Sequence, residues 1–176
     1  HRVRWQVLEG VTAEGLLLEP EGVNAAVVAL PDADWTPEAF CGIGGDVPAS
    51  AQLPWRLANE GCLVVVPMLI SRSSEFSGSP YVAYTNQTHR EFIYRQAFEM
   101  GRHVIGYEVQ KTLAAIDLLG QWMKSREIEI PIGVAGVGEG GLLALYSSAI
   151  DRRVDATMVC GYFGTREAVW EEPIYR

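Results

Sequence analysis

Gly136-Val137-Gly138-Glu139-Gly140-Gly141 is the stretch of this chain whose residue types and spacing fit chemistry best. An apolar run over residues 132–135 leads into it and an Ala/Leu-rich run over 142–150 leaves it, which predicts strand, sharp turn and helix. Glycines flanking the apex of such a turn let one side chain stand clear of the backbone, and a serine there is a poised nucleophile. The apex here is Gly138, which has no side chain and cannot attack a substrate. Glu139 is the nearest substitute, but a carboxylate nucleophile belongs at the apex. At position 139 a carboxylate is accounted for by the positive end of the helix that follows. Gly136, Gly138 and Gly141 also fit G-x-G-x-x-G, the phosphate-cradling turn of a dinucleotide site, which likewise follows a strand and opens a helix. Against this alternative, more than half of the chain precedes the motif. The acidic ribose ligand due about 20 residues later is replaced by Cys160-Gly161-Tyr162.

The elements around this turn follow from hydrophobic patterning. Residues 3–8 alternate and pair with 12–18 across Glu9-Gly10, a hairpin. Residues 25–30 and 62–70 are continuous apolar runs, the mark of strands covered on both faces. A polar loop over 31–48 and a helix over 52–60 stopped by Gly61 connect them. Residues 71–87 are a long loop rich in Ser, Gly and Tyr, and 90–124 are helical with a break at Gly101 or Gly106. Residues 156–162 form a last buried strand. A hairpin followed by alternating strands and helices predicts a three-layer α/β/α sandwich, mostly parallel, with an antiparallel N-terminal edge.

At 176 residues the chain is one domain, 1–176, long enough to bury roughly 70% of its unfolded surface. A net charge of −8 argues against nucleic acid or an anionic membrane as partner, and no apolar run is long enough to span a bilayer. Cys41, Cys62 and Cys160 lack metal or redox spacing, and Cys62 and Cys160 read as buried free thiols. No metal or cofactor is called for. Trp35, Trp55, Trp122 and Trp170 read as core or helix-packing residues. In the 71–87 loop, Arg72, Tyr81, Tyr84 and Asn86 could border a carbohydrate or ester cleft, since aromatic rings with a polar handle suit such ligands. The blander reading is a surface loop whose tyrosines pack on the sheet. The first residue is His1 rather than Met, and the last residues show no tapering polar tail. The expectation is a fragment of a longer protein, with the remainder of that chain as a partner and its compartment left open.

Three stretches carry a resemblance to the α/β-hydrolase superfamily, in its dienelactone hydrolase and acetyl xylan esterase-like branch. They are residues 101–119, containing Gly101, Gly106 and Asp117; residues 132–141; and residues 149–156, containing Asp151, Arg152, Arg153 and Val154. The resemblance implies a carboxyl-ester hydrolase relative acting on small esters or near polysaccharides, in a secreted or periplasmic parent. It places the nucleophile at 138 and implies an Asp or Glu and a His beyond Arg176. His89 and His103 do not fit that His. It also implies that the Glu139 N–H is one oxyanion donor and that Asp32 or Ala33, in the loop after the third strand, supplies the other. The neighbouring carboxylates would oppose an oxyanion there. The reading is a domain without an intact catalytic site; the alternatives are an active hydrolase with a displaced nucleophile, or a dinucleotide-binding domain.

Overall fold

A computed structural model describes residues 1–45, 47–73, 88–164, 167 and 171. Among the described residues six strands form one sheet: β1 (Arg2–Leu8), β2 (Val11–Leu18), β3 (Ala25–Leu30), β4 (Cys62–Pro67), β5 (Ile132–Val137) and β6 (Ala156–Cys160). Their spatial order is β1-β2-β4-β3-β5-β6. β1 and β2 form the antiparallel hairpin, and β2 joins β4 antiparallel with Leu16 opposite Val66. β4, β3, β5 and β6 run parallel. β3 and β4 occupy the centre, which is why their sequences carry no polar residue: nearly every position is buried.

Among the described residues the α-helices are α1 (Pro37–Phe40), α2 (Leu53–Asn59), α3 (His89–Glu99), α4 (Val104–Ser125) and α5 (Glu139–Ile150), and α3 packs on α4. α4 and α5 pack Ala115, Ile116, Leu119, Leu143 and Ala144 against Val28, Leu63, Val65 and Val134 on one face. On the other face Phe40, Cys41 and α2 residues Leu53 and Leu57 meet Ala29, Val64 and Val66. No helix among the described residues is long and apolar enough to cross a membrane.

The structure refines the sequence reading at several points and corrects it at others. The 31–48 loop contains α1, capped by the Thr36 hydroxyl, which accepts from the Ala39 N–H at 3.1 Å, and it plants Phe40 in the core. The 90–124 helix is two helices. The break falls at Gly101, where φ is +70°, and His103 restarts the chain by accepting from the Ile105 N–H through Nδ1; Gly106 lies inside α4. β6 is mostly exposed rather than buried, because it is the outermost described strand and, among the described residues, α5 is the only helix in extensive contact with it. For the same reason Cys160 is exposed; Cys62, the first residue of the central strand β4, is half-buried, and Cys41 is buried. Trp55 is 55% exposed, whereas Trp35 and Trp122 pack against the core; Trp170 lies outside the described residues.

Candidate functional site

Leu30, the last residue of β3, pairs with Gly136 in β5, so the loops leaving the two strands lie side by side at the carboxyl end of the sheet. Ligands of open α/β sheets bind at this end. The β5–α5 turn is tight. Gly138 sits at φ +58° and ψ −120°, a conformation that glycine adopts without a Cβ penalty, and its N–H donates to the Cys160 carbonyl at 2.8 Å. A Cβ on Gly140 would overlap the Leu30 and Pro31 carbonyls, so the first turn of α5 lies directly on the end of β3.

Asp32 reaches into this turn from the loop after β3. Its Oδ2 accepts the Glu139 N–H at 3.0 Å, and a Cβ placed on Gly138 would overlap the same oxygen. Its Oδ1 accepts from the Asp34 N–H at 3.2 Å and from Arg72 Nη1 at 3.1 Å. The sequence reading offered Asp32 and Ala33 as backbone donors to an oxyanion. The structure instead makes the Asp32 side chain an acceptor at the Glu139 N–H, and Ala33 is buried beside it.

From Asp32 a chain of ion pairs runs inward. Arg72 Nη1 lies 3.1 Å from Asp34 Oδ2 and its Nη2 lies 2.8 Å from Glu139 Oε2. Burial works against the Arg72 charge, and the carboxylates of Glu139, Asp34 and Asp32 outweigh it, so its pKa stands above the ordinary arginine value. The other Glu139 oxygen pairs with Arg90 Nη2. Arg90 Nη1 donates to the Ile70 carbonyl at 3.0 Å and to Glu108 Oε1 at 3.3 Å, and the Lys111 ammonium lies 2.6 Å from Glu108 Oε2. Four carboxylates thus meet three cations. Arg90, Glu139 and Glu108 are 3%, 8% and 0% exposed, so these charges depend on one another rather than on water.

The cluster borders a cleft of about 360 Å³ lined by Asp34, Trp35, Thr36, Met68, Ser71 and Arg72. Tyr81, Tyr84 and Asn86, the other candidate cleft residues, lie outside the described residues. His103 is exposed and caps α4. His89 lines an adjoining cavity of about 490 Å³ with Thr12, Ser71 and Lys111, and burial holds its pKa below the ordinary histidine value. No group of three His, Cys, Asp or Glu side chains among the described residues is arranged to hold a metal ion.

No protein-family model matches the sequence, and no curated protein matches it. Solved structures do match. A protein assigned as an acetyl xylan esterase from Bacteroides fragilis superposes with a TM-score of 0.64 at 18% identity, over 87% of this chain and 42% of its own. A dienelactone hydrolase from Anabaena variabilis gives 0.56 at 17%, over 85% and 56%. A cold-adapted esterase from an Arctic intertidal metagenomic library, in its zinc-bound form, gives 0.54 at 18%, over 93% and 59%. The fold is that of the α/β-hydrolases. The chain spans about half the length of the α/β-hydrolase structures it matches.

Arg90, Glu108 and Lys111 were not singled out from the sequence. One signal was available: Glu108 falls on the row Val104, Glu108, Thr112, Ala115, Leu119, whose other members are apolar or small and all buried. A carboxylate on such a row needs cationic partners, and Glu108 finds one on its own helix, Lys111, and one on α3, Arg90.

Proposed function

We propose that this chain is an α/β-hydrolase domain related to carboxyl-ester hydrolases and is catalytically silent, with Gly138 standing in the nucleophile position. A binding or scaffolding role toward a small ester or carbohydrate then replaces turnover. One observation carries the reading: the Asp32 carboxylate occupies the space a side chain at 138 would need and takes the Glu139 N–H that would serve a developing oxyanion. A second negative charge beside that carboxylate is repelled, so the turn disfavours the tetrahedral intermediate of acyl transfer.

The other readings fare less well on the same geometry. Glu139 as displaced nucleophile is held by two arginines and is almost fully buried, which lowers its reactivity. A pyrophosphate on the glycine turn would compete with Asp32 for the helix N-terminus and meet its charge.

The test is hydrolysis of a chromogenic acetyl ester by wild type, Gly138→Ser and Asp32→Ala/Gly138→Ser. Wild type is inert, and Gly138→Ser alone stays inert because its side chain meets Asp32. Turnover by wild type overturns the reading and sends the search to another nucleophile, mapped by a covalent phosphonate adduct.

A further inference from the structure

We infer that Asp32 is an intramolecular stopper of the β5–α5 turn, an autoinhibitory contact in which Gly138 and Asp32 act as one unit. The inference rests on reading that turn as a nucleophile elbow and names what closes it.

α5 lacks a local cap, since Gly138 at its N-cap position offers no side chain. Asp32 delivers the cap from more than a hundred residues away. The carboxylate is not a freely swinging group. Oδ2 is committed to the Glu139 N–H, Oδ1 to Arg72, and Arg72 closes the ring by pairing with the Glu139 carboxylate. Asp34 adds a second grip on Arg72 from the loop that carries Asp32. Arg90 then fixes Glu139 from α3. Displacing Asp32 therefore means breaking a closed ring whose far side is buried.

The relation is reciprocal. A residue larger than glycine at 138 would overlap the carboxylate. Glycine at 138 is what admits Asp32, and Asp32 is what makes a nucleophile at 138 unusable. Restoring a side chain there without removing Asp32 places it beside a fixed negative charge and leaves the helix N-terminal N–H already occupied.

A cysteine probe reads this without any other catalytic group. Gly138→Cys and Asp32→Ala/Gly138→Cys are alkylated with iodoacetamide across pH, with peptide mapping to separate position 138 from Cys41, Cys62 and Cys160. With Asp32 present the thiol reacts slowly and titrates high. Without it, the thiolate takes the Glu139 N–H and the free face of Arg72. It then titrates lower and reacts at neutral pH on the order of 10-fold faster or more. Amide hydrogen exchange at Glu139 in wild type and Asp32→Ala needs no change at 138 and decides the matter alone if the cysteine variants fail to fold. The Glu139 amide is protected in wild type and exchanges on the order of 10-fold faster or more in Asp32→Ala. Equal thiol titration in both backgrounds, or Glu139 exchange unmoved by Asp32→Ala, overturns the inference. Neither readout involves turnover. Ester hydrolysis by wild type would sink the silent reading while leaving these rates to be judged separately.

Discussion

At the carboxyl ends of β3 and β5 the protein buries charge; along β6 and the outer side of α5 it leaves apolar surface in water. Arg90 and Glu108 are among the least exposed residues, while Met158 is 41%, Ile150 63% and Phe163 72% exposed. The two regions adjoin along the β5–β6 pairing, which the Gly138 N–H extends by donating to the Cys160 carbonyl. Burial here follows what lies across from a residue. The charges are inside because α3, α4 and the post-β4 loop converge on them with complementary groups. The apolar flank is outside because no described element covers the far side of β6.

The largest expected effect breaks the buried side of this contrast. Arg90→Met leaves Glu139 and Glu108 each short of a cation in a water-poor site and should cost about 3–5 kcal/mol in denaturant unfolding. Arg72→Met should cost less, below about 2 kcal/mol, because Arg72 is 29% exposed and water can take over part of its role. Equal losses would mean that the chain of ion pairs does not grade from solvent to core.

Thiol reactivity sharpens the contrast next. Burial, aided by the nearby Glu38 carboxylate, pushes the Cys41 thiol up to about 11. Cys160 on β6 is exposed. Iodoacetamide at neutral pH should modify Cys160 first, Cys62 later, and Cys41 on the order of 100-fold more slowly or beyond. Early labelling of Cys41 would show that the α1 side of the core opens readily.

A smaller effect is due at the exposed side. The outer edge of β6 carries Ala156, Thr157, Met158, Val159 and Cys160 without a charge, whereas the opposite edge strand β1 carries Arg2 and Arg4 and a register irregularity between Gln6 and Leu8. Charges and bulges are what keep edge strands from pairing. The chain should therefore self-associate through β6. Met158→Lys should suppress that in light scattering while shifting unfolding by no more than about 0.5 kcal/mol. A wild-type monomer at all concentrations would remove the edge as an associating surface.

The smallest effect is a pH slope. Burial lowers the His89 pKa, so the unfolded chain binds that proton more readily than the folded one. Stability from this group is level above the ordinary histidine pKa and declines as pH falls through it toward the lower folded value. His89→Asn should flatten the unfolding free energy over about pH 7 to 5. An unchanged slope would place the effect elsewhere.

Most of the architecture was legible because it is local. The all-apolar stretches at residues 25–30 and 62–70 announce central strands, Glu9-Gly10 announces the hairpin, and the glycines from 136 to 141 announce the tight strand-to-helix turn. What misled was burial at the sheet's end. Residues 156–162 have the composition of an interior strand, and composition does not say whether a neighbour will arrive. The short helix at Pro37 was hidden by the polar residues around it, although Thr36-Pro37 followed by Glu38 is a helix-start pattern. At the candidate site, Gly138 and Glu139 were visible as a turn apex and a helix start. The role of Asp32 was not, because a side chain filling a space more than a hundred residues away in sequence leaves no periodicity to read.

The sequence by itself determined the alternation of strand and helix, the glycine turn and the missing side chain at its apex, since hydrophobic period and backbone freedom act over a few residues. Only the tertiary structure decided which charges would meet. Bringing Asp32, Arg72, Arg90, Glu108 and Glu139 to one place takes the parallel pairing of β3 with β5 and the packing of α3 and α4 beside them. Charge pairing in a site from which water is excluded depends on distance in space.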